Sequence, residues 1–402
     1  MRIVLAPYGS RGDVEPLVAL ARALMDRGHT ATLAAPPDYR SLAEQDAIPF
    51  VPVAQPFSRF FDGTRNELRV LYEVFRTIPA QFEALEPIVS GADILIGSML
   101  QFAAPSLAEL HRIPYFYALS SPCYLRSVHQ PALSIPIRRP PRWLHHALWG
   151  LQDALFPILG GVLLRQRRRC GLPPVSSLYE YLAPSGQVLA AVDESLTPIP
   201  PDAQPLHLTG LWRRQATAEL PEDLKRFLGA GPPPIFVGFG SVRPRNPMKL
   251  VTLIAAAADR AGVRVVFPAS LASGSACPSA ACFAVAELPH DILFRCVAAV
   301  IHHGGAGTFA SAALAGRPQA VVAHLGDQYY HGYRVETLGV GPPPLHARAF
   351  TASRLSQLLT QLSGRTAFAN AARALAIQIR HDGTQRAVQI IERKPWRGLT
   401  SA

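Results

Sequence analysis

At 402 residues, with 49% hydrophobic and 17% charged side chains, the chain has a globular composition and the length of two domains. That balance excludes disorder, no apolar run approaches the about 20 residues of a helical membrane span, and five scattered cysteines exclude a disulfide framework. The formal net charge is +11, and much of it lies between Pro122 and Arg169, where arginines 126, 138, 139, 142, 165, 167, 168 and 169 face a single acid, Asp153.

Arg2 to Ala6 reads as a strand that opens the chain without a signal-peptide layout. Together with the cysteine pattern, this points to a cytoplasmic protein. Tyr8-Gly9-Ser10-Arg11-Gly12-Asp13-Val14-Glu15-Pro16 follows as a loop, and Pro16 to Asp26 as an amphipathic helix stopped by Gly28. Further strands are expected at His29–Ala34, Asp93–Gly97 and Tyr115–Leu119. The basic stretch interleaves its arginines with Tyr124, Trp143, Leu144 and Trp149. Such a face suits an anionic membrane, which would place the protein peripherally at the inner face of that membrane; a solvated helix pair is the alternative. No nucleic-acid motif accompanies the charge, so nucleic acid is not an expected partner.

The proline-rich segments 197–202 and 229–234 mark a linker or domain edge, and the boundary is placed near residue 212. The βα scheme then restarts: strand Ile235–Phe239, helix Pro247–Ala261, and strands Val263–Phe267, Cys282–Ala286, Val297–Ile301 and Gln319–Ala323. Residues 365–393 read as helical with a break at Gly383. The expected fold class is α/β, with two Rossmann-like domains facing a central cleft. Residues 1–211 form the first domain, 212–375 the second, and 376–402 a helical tail.

Two constellations carry chemistry. His302-His303-Gly304-Gly305-Ala306-Gly307-Thr308 joins a buried strand to a helix. Glycines there admit a ligand to the backbone, and a helix start directs N–H groups and positive dipole at an anion such as a diphosphate. His303 is read as the phosphate contact and His302, by strand alternation, as structural. Gly238-Phe239-Gly240-Ser241 ends a strand at the corresponding place, and Ser241 can donate to the same anion. Farther on, Asp327-Gln328 offers acceptors and donors suited to sugar hydroxyls. In the first half, Asp13 lies where ligands meet open α/β sheets; the other reading is that it caps the helix. Gly9 and Gly12 lack the third glycine of a dinucleotide turn.

Together, Gly9 to Pro16, Gly238 to Ser241, Leu288-Pro289-His290-Asp291, His302 to Thr308 and Gly326-Asp327-Gln328 resemble family-1 glycosyltransferases of the GT-B fold, in the branch of sterol glucosyltransferases and glycopeptide-antibiotic glycosyltransferases. Arg334 to Gly341 and Asp382-Gly383-Thr384 extend the resemblance to about residue 393. It implies inverting transfer of a sugar from a UDP- or dTDP-sugar to a hydroxyl of a lipophilic acceptor such as a sterol, polyketide or other aglycone. The nucleotide sugar would be a co-substrate, with no cofactor or metal. It implies further that the final helix crosses back to the first domain and that Asp13 is the general base. An exposed Asp is a weak base, so burial would have to raise its pKa.

By the same resemblance, Ser10, Arg11 and Gly12 line the cleft beside Asp13. Ser241, His303, Gly305, Ala306, Gly307 and Thr308 hold the diphosphate, and Asp327 and Gln328 hold the sugar. Many relatives place a tryptophan ahead of a Pro-Gln dipeptide to stack on uracil. Here Glu287-Leu288-Pro289-His290 carries no aromatic at that place, so base contact falls to the backbone near Leu288 and to the His290 ring. UDP and dTDP both stay open, as does the oligomeric state. A GT-B sugar-nucleotide epimerase would need additional carboxylates. A non-catalytic helper would have no need to keep both Asp13 and Asp327-Gln328.

Overall fold

The computed structural model describes the chain except residues 62–66, 131–140, 215–217, 241–245, 273–277, 325 and 394–402, and gives backbone alone at 61 and 67–71. The described residues separate into two compact α/β units. One comprises the chain to Arg214 together with the segment from Arg380; the other ends at Ile379. Both edges lie a few residues beyond 212 and 376, and specific bonds account for the extra length. Arg214 pairs with Asp46 at 2.7 Å, and the Arg380 N–H donates to Asp193 Oδ2 at 2.9 Å.

In the first unit seven strands form one parallel sheet: β1 (Arg2–Tyr8), β2 (Thr30–Ala35), β3 (Phe50–Pro52), β4 (Ile94–Met99), β5 (Tyr115–Leu119), β6 (Val188–Ala190) and β7 (His207–Leu208). Their order is β3-β2-β1-β4-β5-β6-β7. Alternation along β1 sends Ile3 and Leu5 to one core and Val4, Ala6 and Tyr8 to the other. Ile3 and Leu5 meet Leu17, Leu20 and Leu24 of the helix Arg11–Asp26, with Ala387, Val388 and Ile391 of the helix Gly383–Glu392 in the same core. Arg27 and His29 clamp Glu392 of that last helix at 3.0 Å each.

The 197–202 segment, read from sequence as a linker or domain edge, instead joins β6 to β7 within this sheet. β7 is too short to show a period in sequence.

The second unit holds β8 (Ile235–Gly238), β9 (Val265–Pro268), β10 (Cys282–Val285), β11 (Ala299–His302), β12 (Gln319–Ala323) and β13 (Leu345–His346), parallel in the order β10-β9-β8-β11-β12-β13. Ile235 and Val237 face a core shared with the helices Pro247–Ala261 and Ala352–Gly364, while Phe236 faces Leu224, Leu293 and Phe294. Each sheet therefore reverses its winding once, between β1 and β4 in one and β8 and β11 in the other. At such reversals the flanking helices leave on opposite faces, and the carboxyl ends of the strands open a crevice.

Candidate active site

The first reversal carries Asp13. Its helix begins at Arg11, not at Pro16, so Arg11, Gly12 and Asp13 occupy the first turn instead of a loop. Ser10 at the N-cap and Asp13 at the third helical position form a capping box, which outweighs the proline as a start signal. Pro16 then sits inside the helix, and its ring nitrogen cannot make the bond to the Gly12 carbonyl. Asp13 Oδ2 accepts from both the Ser10 N–H and Ser10 Oγ, each at 2.8 Å. Its other oxygen, Oδ1, lies 3.4 Å from Ser120 Oγ at the end of β5. A side chain on Gly9 would meet Oδ2 at 2.5 Å, so the carboxylate is folded tightly over the turn.

Asp13 lines a small pocket with Pro16, Ser98, Leu119, Ser120 and Trp212, all at the carboxyl side of the first sheet or beside it. Tyr39 donates to the Gly9 carbonyl at 3.2 Å, and burial, with Asp13 and Asp38 nearby, pushes its phenol well above the usual range. Beneath the turn Tyr8 packs edge-on to Phe57 and Phe60, and burial raises its hydroxyl to about 12. Phe57, Phe60, Phe75, Phe82 and Trp149 are buried in one core, while Trp143 stands open to solvent.

The second reversal places the end of β11 beside that of β8. His302, fully buried, accepts the Gly304 N–H on Nδ1 at 3.1 Å and faces Gln319 Oε1 with Nε2 at 2.9 Å. Those partners require the neutral tautomer protonated on Nε2. Burial, with His303 close by, lowers His302 to about 3.

His303 points the other way. Its ring fits so closely among glycines that a Cβ on Gly240 or Gly305 would approach it to 2.5 Å, and its buried Nδ1 has no hydrogen-bond partner among the described residues. Burial, reinforced by His324, lowers it to about 3. At neutral pH the ring is therefore an uncharged donor and acceptor, not a cation. Gly304 follows the two histidines with φ +94°, and a Cβ there would strike the Gln328 carbonyl at 2.8 Å. Only glycine meets both demands.

The helix Ala306–Leu314 takes in Ala306 to Thr308, which the sequence places in the turn before it, with Gly305 as its N-cap. Phe309 N–H makes the first intrahelical bond, to Gly305, at 3.0 Å. The N–H groups of Gly305, Ala306, Gly307 and Thr308 thus precede the helical ladder and gather positive dipole at the crevice. Asp327 occupies the N-cap position of the helix Gln328–Thr337 without a capping bond from its side chain, and burial pushes its carboxyl up to about 7. Gln328 is buried and accepts the His324 N–H on Oε1 at 2.7 Å. Leu288 lies partly buried on a side core, and His290 stacks on Phe294 at 4.5 Å. Ser241 lies outside the described residues.

A family profile described as "Glycosyltransferase family 28 N-terminal domain" matches residues 3–130, and one described as "Erythromycin biosynthesis protein CIII-like, C-terminal domain" matches 255–389. A relative named vancomycin aglycone glucosyltransferase, from Amycolatopsis orientalis, is 35% identical over 356 residues, 85% of either chain. The chain belongs to the GT-B glycosyltransferases. A sterol 3-beta-glucosyltransferase of Aspergillus terreus is 28% identical over 98% of the present chain, which spans 30% of that longer protein. The crystal structure of the glycosyltransferase VinC in complex with DTDP shares the fold at TM-score 0.67 and 21% identity, covering 97% of this chain and 98% of VinC.

In this glycosyltransferase the structure brings Ser10, Arg11, Gly12 and Asp13 into one helical turn, and His303 with Gly305 to Thr308 around another. Sequence reasoning passed over three residues that hold these turns. His331 Nδ1 donates to the Gly304 carbonyl at 2.7 Å and lies 3.7 Å from Asp327, one helical turn away. Burial lowers it to about 4. Gln319 ties His302 to the Phe309 carbonyl at 3.3 Å. Ser120 reaches Asp13 from another strand, and only folding brings those two together. Of the three, His331 alone carried a sequence signal, the i,i+4 spacing from Asp327. Among the described residues no group of His, Cys, Asp or Glu has the arrangement of a metal site.

Proposed function

We propose that this glycosyltransferase moves a sugar, glucose or a deoxyhexose, from a UDP- or dTDP-sugar to a hydroxyl of a lipophilic aglycone, with inversion at the anomeric carbon. The donor diphosphate lies at the start of the helix Ala306–Leu314. The observation that carries this reading is the set of leading N–H groups from Gly305 to Thr308, beside a His303 ring whose Nδ1 has no partner among the described residues. Ser241 adds its hydroxyl, Asp327 and Gln328 hold sugar hydroxyls, and Leu288 and His290 border the base.

In the transfer, the acceptor oxygen attacks the anomeric carbon from the face opposite the diphosphate. Its proton passes to Asp13, and the bond from the anomeric carbon to the diphosphate oxygen breaks with its electron pair leaving on the phosphate. Ser10 fixes Oδ2 with two bonds, so Oδ1 is the oxygen assigned to take the proton. N–H groups and neutral imidazole, aimed before reaction, stabilise the departing charge. They take the role that a metal ion or cofactor fills elsewhere. The names of relatives support an aglycone or sterol acceptor, and the DTDP complex of VinC supports a thymidine nucleotide.

A mass-spectrometric screen of UDP- and dTDP-sugars against sterol, polyketide and phenolic alcohols tests this reading, with product configuration read by NMR. The expected product is one glycoside of inverted configuration; retained configuration would reject Asp13 as a base acting in a single displacement.

A further inference from the structure

Two consecutive helices of the first unit, Arg142–Leu159 and Gly161–Arg169, meet at a bend of 57°. The first is amphipathic in an inverted sense. Its inner side buries His145, Trp149 and Phe156. At 100° per residue, Trp143, Leu151, Leu155, Ile158 and Leu159 share an outward arc about 160° wide, with Ala147 and Ala154 between them. Arg142, His146, Gln152 and Asp153 all fall outside that arc. The arc is in water: Trp143 is 70% exposed, Ile158 76%, Leu151 51%, Leu159 44% and Leu155 39%. A contiguous apolar surface of this kind is uncommon on a monomeric soluble protein and calls for an occupant.

Charge beside the arc selects that occupant. The acid of the stretch, Asp153, is held by Arg126 at 2.9 Å, and the Arg167 guanidinium is buried against Glu109 and Ser106. Arg142, Arg165, Arg168 and Arg169 are exposed, and among the described residues none of them has an ion pair. We propose that this helix pair docks on an anionic lipid bilayer, its leucines and Ile158 at the level of the acyl-chain boundary, Trp143 at the interface and its free arginines on lipid phosphates.

The pair lies on the bilayer and does not span it. Trp149, Phe156, Leu163 and Arg167 are packed into the first unit's own core and would have to be torn from it to cross. Symmetric pairing with a second copy is disfavoured, because such an interface would set the same free arginines against one another. The proposal concerns access to a lipophilic acceptor and does not depend on Asp13.

Flotation of the full chain with phosphatidylcholine vesicles containing about a third phosphatidylglycerol tests it. Binding is expected at low salt, weakening as salt rises. Replacing Leu155 and Ile158 together by Gln should lower partitioning about tenfold or more, with an unchanged melting temperature because both side chains already face water. The triple variant Arg165→Gln, Arg168→Gln, Arg169→Gln should lower it about a hundredfold at low salt. Asp13→Asn should float like the unaltered chain, which separates this inference from the transfer chemistry. Absence of flotation at low salt would overturn the proposal, as would flotation indifferent to both variants. A dimer in sedimentation velocity that the Leu155 and Ile158 changes dissolve, without flotation, would give the face to a second copy instead.

Discussion

The two sheet reversals are built alike and equipped differently. At the first, a half-buried carboxylate is held by short bonds from the hydroxyl and amide of Ser10, with a second hydroxyl, Ser120, close by. At the second, the polar groups at the crevice are backbone N–H groups and an imidazole that burial keeps neutral. One is suited to accept a proton, the other to receive negative charge. The same strand–turn–helix frame thus serves opposite electrostatic demands, and the local residues decide which.

Removing the proposed base should break this contrast most severely. Asp13→Asn keeps the side chain's shape and should lower the rate of transfer by about 10²–10⁴-fold, with nucleotide affinity unchanged, measured as initial rate and by calorimetry. At the other reversal, His303→Ala removes one donor proposed to face the leaving group and should reduce kcat by about a hundredfold. Because the unliganded ring titrates near 3, its removal should leave the pH profile of kcat/KM unaltered between pH 5 and 8. A lost inflection in that range would show that His303 works as a cation.

Stability against pH sharpens the comparison further. His302 and His331 have folded pKa values of about 3 and about 4, below the ordinary 6.5. The unfolded chain therefore binds more protons in that window, and their contribution, full above 6.5, is lost as pH falls to 3–4. Asp327 has the opposite sign: raised to about 7 from 3.8, its contribution is present below 3.8 and lost as pH rises through 7. Asp327→Asn should accordingly raise the melting temperature at pH 8 by about 2–4 °C, with little gain at pH 4. Ser120→Ala should have the smallest effect, a roughly twofold loss of rate, since its 3.4 Å contact with Asp13 is long for a hydrogen bond.

Much of this frame is legible in the residues. Tyr115–Leu119 and Gln319–Ala323 are bounded runs of apolar and aromatic side chains, and Pro247–Ala261 carries both an opening proline and a closing glycine; each forms the element its pattern predicts. Strands of two or three residues, such as β7 and β13, cannot display a period and emerge only as edges of a sheet already in place. Proline commonly opens helices and draws the expected start to Pro16, whereas the Ser10–Asp13 box just upstream sets it at Arg11. The alternation of His302 and His303 follows from the strand period, but the supports given by Gln319 and Ser120 arise from other strands and have no linear signature. The inverted helix Arg142–Leu159 was visible as composition; which side it turns to water was settled only by the burial of Trp149 and Phe156.

The division of labour between the reversals is open to direct measurement by titrating dTDP and UDP calorimetrically into the unaltered chain, Asp13→Asn and His303→Ala, with the transfer rate measured on the same preparations. For Asp13→Asn the expected result is unchanged nucleotide affinity with transfer lowered by about 10²–10⁴-fold, against weakened affinity for His303→Ala. Full transfer by Asp13→Asn, or affinity lost at Asp13 and kept at His303, would contradict it.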